Sequence, residues 1–164
     1  MTAFTLRPAT AEDAGTILEL IRALAHYERE PDAVVATEAD LVRDGFGPTP
    51  RFHVLLAEAG GASVGFAFYF FAYSTWEGRP ALHLEDLFVV PAARRLGVGM
   101  AFMRELARIC VAEGATRFQW NVLDWNAPAI AFYARLGARL LPEWRVCRLD
   151  GQALSGFAAA TDVC

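Results

Sequence analysis

At 164 residues the chain is sized for one domain around one substantial core, and a hydrophobic content of 55% excludes a disordered polypeptide. A formal charge of −4 offers no basic footprint for nucleic acid and suits a small cationic substrate better. No apolar run approaches the ~20 residues that a membrane helix requires.

In chain order, Ala3 to Arg7 reads as a short strand that Pro8 ends, and Thr10-Ala11-Glu12-Asp13 has the form of a capping box with Thr10 as N-cap. Behind it Ala14, Ile17, Leu18, Ile21, Leu24 and Ala25 recur at helical spacing, which predicts a helix to about Glu28. A second helix is expected from Thr37 to just before Gly45, punctuated by Pro31 and by Asp44-Gly45-Phe46-Gly47-Pro48. The period then changes. His53 to Ala59, a Gly60-Gly61 turn and Ser63 to Tyr73 predict a hairpin, and Ala81 to Val90 a third strand that completes an antiparallel meander. Phe66 to Tyr73 is apolar on both faces, as in a central strand covered on each side.

A helix after Gly97 would bury Val98, Phe102, Leu106, Ile109 and Cys110, leave Arg104, Glu105 and Arg108 in solvent, and stop at Gly114. Thr116 to Leu123 reads as a strand. Ala127 to Leu136 reads as a helix capped by Asn126 and ended by Gly137, Arg145 to Leu149 as a last strand, and Gln152 to Ala160 as a weak terminal helix. With no repeat, linker or low-complexity segment, the expectation is a single domain over 1–164 of α/β (α+β) class, a mixed and mostly antiparallel sheet flanked by helices. Met1 to Pro8 lacks the basic start and apolar segment of a signal peptide, so a cytoplasmic location is expected. Cys110, Cys147 and Cys164 are odd in number and widely spaced, suiting neither a disulfide framework nor a metal site, and His26, His53 and His83 show no ligand spacing.

The stretch from His83 to Leu106 carries the chemistry. An apolar strand holding Glu85 and Asp86 breaks at Pro91, passes through a loop with Arg94, Arg95, Gly97 and Gly99, and enters an amphipathic helix. That order suits a phosphate cradle. Glycines let the backbone approach an anion, the first-turn N–H groups of the helix point at it, and the two arginines add positive charge beside it.

Arg94-x-x-Gly97-x-Gly99 between an apolar strand and a helix resembles the acetyl-coenzyme A (acetyl-CoA) pyrophosphate loop of the GNAT superfamily of N-acetyltransferases. Trp125-Asn126-Ala127-Pro128-Ala129-Ile130-Ala131-Phe132-Tyr133, closed by Gly137, is similar to the second half of the same coenzyme site. His26-Tyr27-Glu28, Asp44-Gly45-Phe46-Gly47, Leu84-Glu85-Asp86 and Trp144-Arg145 narrow the resemblance to the diamine (spermidine/spermine-type) and thialysine acetyltransferases, over roughly Leu20 to Asp150. The resemblance implies the GNAT fold and a coenzyme site formed by Leu87, Phe88, Val89, Arg94, Arg95, Leu96, Gly97, Val98, Gly99, Met100, Asn126, Pro128, Ala129 and Tyr133. It also implies a homodimer, with which the apolar run Phe157-Ala158-Ala159-Ala160 is consistent.

A primary amine of pKa ~10.4 is a free nucleophile in only about one molecule of two or three thousand at pH 7, a deficit of roughly 4.6 kcal/mol. An enzyme acetylating it therefore gains from a carboxylate that accepts the proton. The resemblance gives that role to Glu85, acting through water, and Glu85 would need its ordinary pKa of ~4.3 raised by partial burial to work near neutrality. Asp86, adjacent on a strand, should face the other side of the sheet and would orient the loop or line the acceptor channel. A backbone N–H of Leu87 to Val89 is the expected oxyanion donor, provided the strands splay there as the fold implies. Tyr133, with a phenol near pKa ~10, is the implied proton donor to the departing thiolate. Asn126 is read both as a helix cap and as a coenzyme contact.

Tyr27, Glu28, Trp76, Glu77, Glu143 and Trp144 would supply the carboxylates and aromatic faces that a diammonium needs. Ser74-Thr75-Trp76 departs from the polyamine pattern by lacking an acidic residue before the Trp, which puts spermine in doubt and leaves shorter amines open. The expected function is transfer of the acetyl group of acetyl-CoA directly to a small primary amine (a diamine, polyamine or lysine/thialysine-like acceptor) without a metal or acyl-enzyme, since no activated Cys or Ser is evident. The rivals are an acetyltransferase for a protein N-terminus or another amine, and a non-catalytic acyl-CoA sensor. Neither the nucleotide-kinase nor the dinucleotide glycine fingerprint is present.

Overall fold

The structure is a computed structural model that describes residues 4–160, so the expected first strand residue Ala3 and Cys164 lie outside the described residues. The chain falls into two compact units, divided between Asn121 and Val122.

The first unit holds a five-stranded sheet in the order β1-β2-β3-β4-β5, made of β1 (Phe4–Pro8), β2 (His53–Ala59), β3 (Ala62–Ser74), β4 (Arg79–Val89) and β5 (Arg117–Trp120). The first four pair antiparallel and β5 lies parallel to β4, so the sheet is mixed and mostly antiparallel as expected. Pro8, expected to end the strand after Arg7, is itself the last residue of β1 and stands opposite Leu55. An edge strand tolerates it because the missing N–H falls at the rim of the ladder. Gly60 and Gly61, at φ 61° and 80°, make the β2–β3 turn.

Helix α1 (Ala14–Tyr27) follows a 3₁₀ turn at Ala11–Asp13, where the N–H of Thr10 donates to Asp13 Oδ2 at 2.7 Å. The capping box therefore starts a turn, and α1 continues from it. Arg7 clasps Asp13 and Glu58, both at 2.7 Å, and pins this turn to the sheet. Helix α2 (Glu38–Gly45) is capped by Thr37, which accepts from the N–H of Asp40. Ile17, Leu18, Leu24, Leu41, Leu56, Phe66 and Phe88 form the core between these helices and one face of the sheet, with Phe68 and Phe70 packed against it. Leu82 and Leu84, with Val98, Phe102 and Leu106 of helix α3 (Val98–Ala112), are buried outside that cluster, so helices flank both faces.

The second unit contains helix α4 (Ala127–Arg135) and helix α5 (Gly151–Ala159). The expected strand at Arg145–Leu149 does not form. Val146 and Leu149, three residues apart, would not share one face of a strand, both are exposed, and the segment joins no ladder among the described residues. A short run without a neighbouring edge to supply its hydrogen bonds does not persist as a strand. β5 is also shorter than the expected Thr116–Leu123. Its pairing ends at Leu84↔Trp120, where β4 acquires an extra residue that twists it away.

Candidate active site

That extra residue is Glu85. β3 and β4 pair Phe68 with Asp86 but Tyr69 with Leu84, leaving Glu85 as a β-bulge. A bulge resets the alternation, so the expectation that Glu85 and Asp86 face opposite sides of the sheet is wrong. His83 and Asp86 stand opposite Phe70 and Phe68, two residues apart on β3 and hence on one face, the face of α1 and α2. Glu85 Oε2 lies 3.5 Å from His83 Nε2, which puts its carboxylate on that face too. His83 stacks on Phe70 at 4.9 Å. Its place beside Glu85 was missed in the sequence, although the i, i+2 spacing on a strand was the available signal.

Burial divides the two acids. The Glu85 side chain is 55% exposed. Asp86 is largely enclosed, and burial foremost, then the charges of Glu85 and Glu28, push its pKa up to about 6. The carboxyl tuned toward neutrality is therefore Asp86, whereas the sequence had asked this of Glu85. Glu28 caps the end of α1, where Arg29 at φ 69° turns the chain and the N–H of Glu30 returns to Ala25 O at 2.9 Å. Burial raises the pKa of Glu28 as well.

Past Leu84 the β4 edge turned away from β3 has no strand partner among the described residues, so Leu87, Phe88 and Val89 border an open edge. The chain then makes a 3₁₀ turn at Pro91–Ala93 and reaches α3 through Arg95 and Gly97, both left-handed at φ 72° and 89°. For Arg95 this costs roughly 1–2 kcal/mol, the kind of strain that concentrates at ligand sites. Gly97 is the N-cap, and no side chain caps the first-turn amides of Val98, Gly99 and Met100. A Cβ on Gly97 would meet nothing within 4 Å, while Val98 is buried and anchors the turn. Open space, bare amides and a helix dipole fit a diphosphate. Arg95 and Leu96 are exposed beside it. Arg94 is engaged elsewhere: its Nε donates to Val89 O at 3.1 Å, and its guanidinium lies 4.7 Å over the Tyr27 ring and 5.9 Å from that of Phe88.

Trp76 and Glu77 occupy the β3–β4 turn. The six residue steps from Arg79 to Glu85 span about 20 Å at ~3.3 Å each, so the turn does not join the Glu85–Asp86 cluster within the same chain. Trp76 is 96% exposed, and Glu77 accepts from the Thr116 hydroxyl.

In the second unit, Asn126 Oδ1 accepts from the N–H of Ala129 at 3.3 Å with Pro128 in the first turn, so its capping role is realised. Tyr133 is half-buried, its ring 5.3 Å from that of Phe132. Gly137, at φ 85°, follows the end of α4, and Glu143 and Trp144 are exposed on irregular chain. Among the described residues no group of three His, Cys, Asp or Glu side chains is placed to hold a metal ion.

The chain matches the model of the acetyltransferase (GNAT) family over residues 16–138. It is 40% identical to a thialysine N-epsilon-acetyltransferase of Sus scrofa, over 96% of this chain and 99% of that one. It is 34% identical to a protein of the same name from Caenorhabditis elegans, over 94% and 97%. An integron cassette protein from the mobile metagenome of V. cholerae superposes with a TM-score of 0.83 at 24% identity, over 98% of this chain and all of that one, which shows the shared fold. An uncapped glycine turn after an open-edged strand, recurring with a family match over most of the sequence, establishes that the chain belongs to the acetyltransferase (GNAT) family and uses acetyl-CoA.

Proposed function

We propose that the chain transfers acetyl from acetyl-CoA directly to a small primary amine of the diamine, polyamine or lysine-like class. The observation that carries this reading is the acidic face created by the bulge, where Glu85 and Asp86 act on one another and Glu28 adds its charge from the end of α1. Such a face attracts a cationic amine and then disfavours its proton-free carboxylates, so it both binds and deprotonates. The relatives' names point the same way, since they denote acetylation of thialysine and, for a human protein 37% identical over 94% of this chain, likeness to a spermidine/spermine acetyltransferase. This chain covers 24% of that human protein.

Acetyl-CoA supplies the activated thioester. In our reading the ammonium proton passes to the Glu85–Asp86 pair as a unit: Asp86, near 6, has the better match to neutral pH, and exposed Glu85 returns the proton to solvent. Backbone N–H groups at Leu87–Val89 face the developing oxyanion, and Tyr133 protonates the thiolate, a role that rests on its motif. The acceptor contacts assigned to Trp76, Glu143 and Trp144 belong to the same reading.

We place the enzyme in the cytoplasm as a homodimer without a nucleic-acid partner. Free Cys110 and Cys147 suit a reducing compartment, and the charge of −4 disfavours nucleic acid. Exposed Leu140, Trp144, Val146 and Phe157 in the second unit would be covered by pairing, which light scattering on the purified protein tests. Thiol release from acetyl-CoA across putrescine, spermidine, spermine, thialysine, lysine and a peptide N-terminus tests the substrate class. Turnover is expected with the first five acceptors as a group, with spermine the poorest. Turnover of the peptide alone would overturn the reading.

A further inference from the structure

Tyr27 entered the sequence reading as an aromatic wall for the amine, yet one of its ring faces is taken by a group from the coenzyme side. The Arg94 guanidinium sits 4.7 Å over that ring, and Phe88 flanks it at 5.9 Å. A planar, weakly hydrated guanidinium stacks well on an aromatic ring, and Tyr27 is fixed as the last residue of α1, two residues before the left-handed exit at Arg29. Arg94 is also the residue with which the loop begins. Its N–H bonds Pro91 O at 3.2 Å and the N–H of Leu96 bonds Ala93 O at 3.3 Å, so the backbone contacts of this stretch return to the 3₁₀ turn that precedes it. The Arg94 side chain adds a tie of another kind, from the loop across the end of β4 to α1.

We propose that Tyr27 is a positioning residue for the coenzyme loop, acting through Arg94, so that the α1 end carrying Glu28 holds both the amine side and the Arg95–Gly97 turn. The inference rests on the reading of that turn as the coenzyme cradle. Without the ring, the tie from Arg94 to α1 is lost and only its contacts with Val89 O and Phe88 on β4 remain, so the strained Arg95 conformation beside it is less firmly held. Tyr27 then influences coenzyme affinity with no amine present, which an acceptor contact alone would not do.

The test is calorimetric titration of CoA, without amine, into the wild-type protein, Tyr27→Phe, Tyr27→Leu, Arg94→Lys and the Tyr27→Leu/Arg94→Lys double variant, with thermal unfolding of each as a check on folding. Tyr27→Phe keeps the ring and is expected to bind CoA within about twofold of wild type, while Tyr27→Leu binds about three- to tenfold more weakly, the range of a cation–π contact. In the Arg94→Lys background Tyr27→Leu should add little, because the partner of the ring is already altered. Wild-type affinity in Tyr27→Leu, equal losses in Tyr27→Phe and Tyr27→Leu, or full additivity in the double variant overturns the inference alone. Failure of the wild-type protein to bind CoA overturns the cradle reading with it.

Discussion

Asp86 provides a test of the site that needs no substrate. Burial, aided by Glu85 and Glu28, lifts its carboxyl from an ordinary 3.8 to about 6. In the unfolded chain Asp86 ionises near 3.8, while in the folded chain it keeps its proton until about 6. Between those values the folded state binds more protons, so this residue's contribution is fully present below the lower pKa and is lost as the pH rises through the upper one. Two units at ~1.36 kcal/mol each amount to about 3 kcal/mol. Asp86→Asn removes the ionisation and keeps the shape. Its stability relative to wild type should therefore rise from well under 1 kcal/mol at about pH 4 to about 3 kcal/mol at about pH 8. For a chain of this length that is several degrees in Tm at the higher pH. Urea unfolding of both proteins across that range reads the difference directly, since groups common to both cancel. A difference that does not change with pH would refute the enclosure of Asp86 among like charges. Stabilisation at high pH with loss of kcat would identify a residue kept for function at the expense of stability.

Three further outcomes follow from named contacts. Gly97→Ala should weaken CoA binding about tenfold or more while lowering stability by about 1 kcal/mol, because the new methyl meets open space in the protein but enters the anion's place at φ 89°; titration and unfolding separate the two effects, and unchanged affinity would count against the cradle. Glu85→Gln and Tyr133→Phe should each lower kcat by about 10²-fold or more with CoA affinity kept, the range of general acid–base catalysis; single-turnover assays beside CoA titration decide it. Arg7→Met should destabilise the fold by about 1–2 kcal/mol near neutrality, discounted for the partial exposure of its pair with Asp13. The Arg7 guanidinium holds the Asp13 carboxyl well below the usual carboxylate range, so that deficit should shrink as the pH falls below about 4, which acid titration of both proteins follows.

Features encoded by neighbouring residues were legible in the sequence. Thr37 and Asn126 cap their helices, Gly60-Gly61 turns the hairpin, and Gly97 opens α3, each because a short side chain or a positive φ is a local demand. The bulge at Glu85 was not read from the sequence, since an extra residue exists only relative to the partner strand: the adjacent polar pair Glu85-Asp86 interrupts the alternation of β4, yet only the pairing of Phe68 and Tyr69 across it identifies the slip. The enclosure of Asp86 and the turn of Arg94 toward Tyr27 depend on where α1 ends over the sheet, which no spacing within the loop encodes. Arg145–Leu149 shows the converse, a segment read as a strand that finds no partner edge among the described residues.

A crystal structure of the CoA complex tests the central claim most directly. The diphosphate should rest on the first-turn amides of Val98 to Met100, with the pantetheine arm along the open β4 edge at Glu85–Val89 and its sulfur on the side where the two carboxylates gather. A diphosphate bound away from Gly97, or a β4 edge closed by another strand, would contradict it.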